Sequence, residues 1–427
     1  MMKNEQICLS VPAPVSFVLS RLRRSGFPAY LVGGCVRDAL MGRAPGDYDV
    51  TTAARPDEML RVFADCRVVE TGLKHGTLTV VREGMNVEVT TYRVDGAYSD
   101  GRRPDSVSFA DRLSDDLSRR DFTVNAMAYA PGDLDEDGDA DSPDRGLTDL
   151  FGGREDLERR VIRCVGRAEE RFSEDGLRIL RALRFASVLR FECDPECAAA
   201  VRSMAPMLDK ISRERIYAEL TKLLGGANAG DVLSSFAPVF ARILPPLTED
   251  AVTRAASVFR KNAAEAAGSD PLPYAVRYAV LLDSLPEADA ARAMDSLKPS
   301  RDEKRGVLNL LARREWRMTE NARYDVLALM RDNGDEFPEI LARFLRLTGR
   351  MGEEDESAIR REAASILEGD DCRRTAQLAV DGRDLGAMGF RGAEIGETLR
   401  SLLDRVMRGE LANEGDALLE EARRIRP

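Results

Sequence analysis

Asp47 and Asp49 stand two residues apart in GDYDVTT, and on a strand residues i and i+2 share one face. Both carboxylates then address the same small volume. Hard oxygen donors of this kind suit Mg²⁺, which keeps some waters and completes its shell from phosphate. Glu88, in NVEVTTYR, alternates with Val87 and Val89, so it falls on the face those valines leave and can meet the aspartates from a neighbouring strand. Three carboxylates on a sheet can hold two metal ions about 3.5–4 Å apart, a geometry that activates a hydroxyl and steadies a departing pyrophosphate. Gly33 and Gly34 follow the apolar YLV and leave backbone amides unobstructed, and Arg37 completes a triphosphate cradle. An isolated DxD is most often an acidic turn. The glycines, the arginine and the distant acid together give it the metal reading.

Two further groups are basic. RRDFTVNAMAYA, from Arg119, reads alone as a strand edge or helix start with surface arginines; beside the first motif, Arg120 becomes a candidate phosphate ligand. In EDGLRILRALRF, Asp175, Arg178, Arg181 and Arg184 recur every third residue. At about 100° per residue such a series winds slowly around a helix. Ile179, Leu180, Leu183 and Ala186 fill the other side, which predicts a core-facing stripe. A surface ladder of i,i+3 ion pairs would account for Asp175 with Arg178, at roughly 0.2–0.5 kcal/mol per pair. It leaves two arginines without acids at that spacing.

The elements that must hold these residues are legible in the texture of the chain. Over the first 165 residues, PAYLVG, YDVTT, GTLTVVREG, NVEVTTYR and VIRCVG are short, β-rich and bounded by Gly or Asp, and predict strands. CVRDALMG and RPDEMLRVFAD predict short helices. From about Glu169 onward, long amphipathic helical patterns take over, broken at GGANAG, SDPLP and DNGDEFP. A chain of 427 residues predicts two to four domains. No run approaches the roughly 18 apolar residues that cross a bilayer, and VPAPVSFVLS, preceded by Asn4 and Glu5, makes a poor signal-peptide core. Seven cysteines without a CxxC pair fit a reducing cytoplasm, and a single histidine, His75, excludes a His-rich metal cage. The net charge of −11 argues against a general nucleic-acid coat protein, although residues 132–144 hold seven acids and no base and carry much of the excess.

The ordered set LVGGCVRDALMGRAPGDYDVTT, TGLKHGTLTV, RRDFTVNAMA, EDGLRILRALRF, ISRERIYAEL and AVDGRDLGAMGFRGAEIGETLRSLLDRVMRGELAN resembles the class II tRNA nucleotidyltransferases, the CCA-adding enzymes, and their relatives the bacterial poly(A) polymerases. The resemblance covers nearly the whole chain. It implies an α+β, polymerase-β-like nucleotidyltransferase head over residues 1–165, followed by an all-α neck (166–225), body (226–300) and tail (301–427). It implies Mg²⁺ on Asp47 and Asp49, nucleotide contacts from Gly34, Arg37 and Arg120, and base recognition by Asp175, Arg178, Arg181 and Arg184. The implied partners are CTP, ATP and the 3′ end of tRNA, with no membrane and no obligatory protein partner. Asp with Arg can serve as a template because cytosine and adenine both present an amino donor beside a ring-nitrogen acceptor. Uracil and guanine invert that edge and leave the buried pair unsatisfied.

Within the family, full CCA addition, A-only or CC-only addition and poly(A) synthesis compete. TGLKHGTLTV and the absence of a long basic C-terminal extension favour CCA addition over poly(A) synthesis. YRVDGAYSDGRRPDSVSF holds Arg102 and Asp105, like the loop element that CC-only enzymes lack, and is expected to act as the lever that switches the pocket from C to A. His75 reads as positioning rather than acid–base chemistry. Trp316, in ARREWRMTE, is more commonly a core residue than an RNA-stacking one. Arg313, Arg314, Arg317, Arg343, Arg346 and Arg350 could line a path for an RNA backbone, but acids interleave them.

Overall fold

The computed structural model describes residues 9–95, 107–131, 146–265 and 271–425; Arg102, Asp105 and the acidic run 132–144 lie outside them. The chain divides into two compact units, Met1–Pro245 and Pro246–Pro427.

The first unit opens with helix α1 (Ala13–Arg24), strand β1 (Ala29–Val32), helix α2 (Gly34–Leu40), strand β2 (Tyr48–Thr52) and helix α3 (Pro56–Val62). Strands β3 (Arg67–Val69), β4 (Thr77–Arg82), β5 (Met85–Thr91), β6 (Arg93–Asp95) and β7 (Val107–Phe109) follow. After helix α4 (Leu113–Ser118) come β8 (Met127–Ala130) and β9 (Gly146–Asp149). Seven of these strands form a mixed sheet in the order β3-β4-β5-β2-β1-β8-β9, while β6 pairs with β7. Only the β2–β5 junction is parallel among the described pairs of that sheet.

Alternation explains how the sheet divides its labour. Leu31, Val50, Leu78, Val80, Val87, Val89, Met127 and Tyr129 turn to one face and pack against Val15, Val18, Leu19 and Leu22 of α1 and Met59 of α3. Each such side chain contributes about 1.5–3 kcal/mol by leaving water. On the opposite face, Tyr30, Val32, Ala128 and Ala130 build a smaller core with Tyr92 and Leu117. So β1 and β8 are covered on both sides, whereas β2 and β5 leave Asp49 and Glu88 on a polar strip.

Beyond the sheet lie helices α5 (Gly153–Arg159), α6 (Ala168–Glu174), α7 (Leu177–Leu189), α8 (Pro195–Ser203) and α9 (Arg213–Leu224), with a short parallel pair, β10 (Val161–Ile162) and β11 (Glu192–Cys193). Helix α7 packs on α9 and touches β10 and β11. Its Ile179, Leu180, Leu183 and Ala186 are buried, as the stripe predicted. Glu174 to Phe185 is not one helix, however. Asp175 is extended at φ −140°, ψ 105°, and ends α6; Gly176 then starts α7. A Cβ on Gly176 would come within 3.2 Å of the Met207 side chain, so this turn has little room for another residue.

The second unit is helical throughout its described elements, from Glu249–Glu265 to Gly415–Ile425. Trp316 is partly buried against a core that includes Val326, Ile359 and Leu402. Arg314 donates to the carbonyls of Asp283 and Leu285, Arg346 pairs with Glu356, and Arg350 pairs with Asp283. Much of that basic series is thus engaged within the protein. Among the described residues no helix is long and apolar enough to cross a membrane.

Candidate active site

Gly33 sits at φ 78°, a backbone conformation that L side chains rarely adopt, and a Cβ there would lie 3.1 Å from Arg120 Nη1 and 3.6 Å from Asp49 Oδ2. Glycine keeps open the space between a carboxylate and a guanidinium. Helix α2 then delivers Arg37 inward: its Nη1 donates to Asn125 Oδ1 at 2.6 Å, its Nε and Nη2 donate to Asp38, and its guanidinium lies 5.2 Å from the Phe185 ring centroid. Gly34, one residue into the turn, lines the same cavity.

Asp47 precedes β2 and is exposed, and Asp49 lies half-buried on that strand. Asp49 pairs in register with Glu88 of β5, which is exposed on the face away from Val87 and Val89. Burial first, then the charges of Asp47 and Glu88, push the Asp49 carboxyl up to about 6, against the opposing pull of Arg120. Carboxylates gathered in this way offer hard oxygen donors to a cation. Among the described residues no three acidic, His or Cys side chains form a metal cage by themselves. A divalent ion held by one or two carboxylates would complete its shell with water and substrate phosphate.

Arg120 is held from behind. Fully buried Asp116 accepts from Arg120 at 3.1 Å, from Arg119 at 2.6 Å and from the Thr51 hydroxyl at 3.2 Å. Burial works against that carboxylate, yet Arg120 and Arg119 hold it below its usual range.

Arg178 of α7 finds a local acid, whereas Arg181 and Arg184 find acids that local spacing does not supply. Arg178 donates to Glu174 at 2.5 Å and to the carbonyls of Arg171 and Arg119. Arg181 grips Asp121 Oδ2 through Nε at 2.7 Å and Nη2 at 2.5 Å. Despite burial, the charges of Arg181 and then Arg178 bring Asp121 down to about 2. Arg184 meets Glu219 of α9 at 2.7 Å and lies 3.9 Å from the Phe185 centroid. Asp175 accepts from Arg215 of α9 and from the backbone N–H of Leu177 at 3.0 Å. The i,i+3 ladder between Asp175 and Arg178 is therefore absent, because the break at Asp175 turns its carboxylate toward α9.

One cavity of about 560 Å³ is lined by Gly33, Gly34, Arg37, Asp47, Asp49, Arg120, Asp175, Arg178, Arg181 and Arg184. Glu88 borders it through Asp49 rather than lining it. Asp121, Asn125, Phe185 and Arg215 also line it, and spacing gave none of them a role. Asp121 stands inside RRDF, and Arg215 and Glu219 stand inside ISRERIYAEL, so those motifs held the signal; Asp116 had none.

The CCA-adding enzyme of Enterococcus faecalis is 34% identical over 412 residues, 96% of this chain and 95% of that one. This chain belongs to the CCA-adding enzyme family. The poly(A) polymerase head-domain family matches residues 29–163, a domain named for an RNA- and SrmB-binding site of polymerase A matches 190–235, and tRNA nucleotidyltransferase domain 2 matches 275–422. The Geobacillus kaustophilus CCA-adding enzyme is 44% identical over 245 residues, so that similarity spans 57% of each chain. The crystal structure of the Bacillus stearothermophilus CCA-adding enzyme in complex with CTP superposes with a TM-score of 0.74 at 30% identity, covering 97% of this chain and 99% of that one. The Thermotoga maritima CCA-adding enzyme complexed with tRNA, 20% identical with a TM-score of 0.60, shares the fold over 97% of this chain and 96% of its own. The head is thus polymerase-β-like and the remainder mostly helical. Nucleotidyl transfer in this family is metal-dependent.

Proposed function

We propose that this chain adds the 3′-terminal CCA to tRNA without a nucleic-acid template, using CTP and ATP and releasing pyrophosphate. One observation carries the reading: Asp47 and Asp49 at the start of β2 and the arginine stripe of α7 line a single cavity. A nucleotide in it would have its phosphates near Asp47, Asp49, Arg37 and Arg120 and its base toward Asp175 and Arg178. Asp47 and Asp49, with Glu88 beside them, would hold Mg²⁺. When bound, that ion supplies activation of the tRNA 3′-hydroxyl and charge neutralisation on the departing pyrophosphate. The hydroxyl oxygen attacks the α-phosphorus, the bond to the β-phosphate oxygen breaks, and Arg37 and Arg120 steady the charge that develops there. Asp175 accepts from the base amino group. Arg178 commits three of its five N–H groups within the protein, and the rest suit a ring nitrogen.

In this reading residues 1–165 perform the chemistry, 166–225 recognise the base, 226–300 form the body, 301–427 grip the tRNA, and the protein works in the cytoplasm. The test is to incubate it with Mg²⁺, labelled CTP or ATP, and tRNA ending at the discriminator base, after the first C or after the second C. Full addition on all three supports the proposal. A ladder stopping after two C residues, A addition alone, or long A tails would each replace it with a different activity.

A further inference from the structure

Three free thiols meet where β10, β11 and α8 come together. Cys193 is paired in register with Ile162, Cys164 lies two residues beyond β10, and Cys197 sits in the first turn of α8, its N–H donating to the Asp194 cap at 2.8 Å. Cys193 and Cys197 flank the Asp194 cap, and hydrogen bonding to Cys164 and Cys193 pushes the Cys197 thiol up. Cys164 and Cys197 are buried, whereas Cys193 is half-buried and lines a cavity of about 450 Å³ together with Arg202 and Phe236. None of the three lines the nucleotide cavity.

We propose that Cys193 and Cys197 form an oxidation site for small hydroperoxides that closes reversibly to a disulfide. The order of events follows from access and acidity. Hydrogen bonds to Cys164 and Cys193, together with burial, push the Cys197 thiol well above its ordinary range, so Cys193, open to the cavity that Arg202 also lines, reacts first. Its thiolate attacks one peroxide oxygen, an S–O bond forms, the O–O bond breaks, and the departing oxygen takes up a proton to leave as water or an alcohol. Cys197 sulfur then attacks the sulfenic sulfur. An S–S bond forms, the S–O bond breaks, and the Cys197 proton leaves with the hydroxyl as water. Two thiols have lost two electrons, and the peroxide has gained them. Because α7 rests on β10 and β11, the link would form behind the helix that carries Arg178, Arg181 and Arg184.

Both sulfurs fall in one tryptic peptide, residues 191–202, FECDPECAAAVR. The full-length reduced protein is titrated with hydrogen peroxide, then alkylated, digested without reductant and weighed. That peptide should become about 2 Da lighter and resist alkylation, and dithiothreitol should restore two alkylatable thiols. Cys193→Ser should abolish the change, while Cys164→Ala and the distant Cys66→Ser should leave it intact. A peptide that stays fully alkylatable, one that gains roughly 32 Da as sulfinic acid without closing, or a link that persists in Cys193→Ser would overturn the proposal.

Discussion

Arg215 reaches Asp175 with two nitrogens, Nη2 to Oδ2 at 2.7 Å and Nη1 to Oδ1 at 3.3 Å, and so connects α9 to the turn ahead of α7. The fork fixes the plane of a carboxylate that would otherwise swing on an extended residue. Arg215→Lys keeps the charge and loses the fork. Incorporation of UTP and GTP relative to CTP and ATP should rise about tenfold, equal to about 1.4 kcal/mol of discrimination, with tRNA affinity unchanged. Steady ratios at a lower rate would make Arg215 a scaffold for α9 alone.

Asp49 combines a functional role with a cost. Its folded carboxyl, at about 6, lies above the ordinary carboxylate value, so the metal-free protein loses stability as pH rises from about 4 through about 6. Asp49→Asn removes that cost. Without divalent metal at pH 7.5, thermal unfolding of the variant should occur roughly 2–4 °C higher, with nucleotide addition reduced by at least a thousandfold. An unchanged midpoint would mean that Asp47 and Glu88 do not repel Asp49 in solution. Glu88→Gln should lower turnover less, since Glu88 stands beside the cavity.

Asp121 has the opposite sign. Its carboxyl, held near 2 by Arg181 and Arg178, contributes stability that is fully present at neutral pH and fades as pH falls from about 4 through about 2. Asp121→Asn leaves Arg181 without its buried acid and should cost about 3 kcal/mol in urea unfolding at pH 7. Comparing the two proteins from pH 6 to pH 3 checks the attribution: the gap should begin to narrow below about pH 4. A gap independent of pH would assign the loss to packing.

Phe185 is shared by three guanidinium groups, with Arg184 at 3.9 Å, Arg37 at 5.2 Å and Arg181 at 5.5 Å from its centroid. Phe185→Leu keeps an apolar side chain and removes the π face. The KM for CTP and for ATP should both rise about tenfold while the unfolding midpoint moves little. A change confined to one nucleotide would instead make the ring part of base recognition.

What was readable in the sequence follows a physical line. The DxD strand, the outward Glu88 and the arginine stripe depend on periods of 2 and 3.6, which are local properties of the chain. The pairs Arg181 with Asp121, Arg184 with Glu219 and Asp175 with Arg215 join residues 35 to 60 positions apart, and no period encodes them. For that reason the helix was expected to run through Asp175, where the structure breaks it. The short edge strands β3 and β9 were missed because three or four residues carry too little alternation to stand out.

The parallel β2–β5 register, Asp49 opposite Glu88 and Val50 opposite Val89, also ties activity to correct assembly. A slip by one residue would exchange the acids for valines, emptying the reaction face and burying charge in the apolar core at once. A misassembled head would therefore be silent rather than error-prone, so every active molecule in a preparation is one whose strands have aligned.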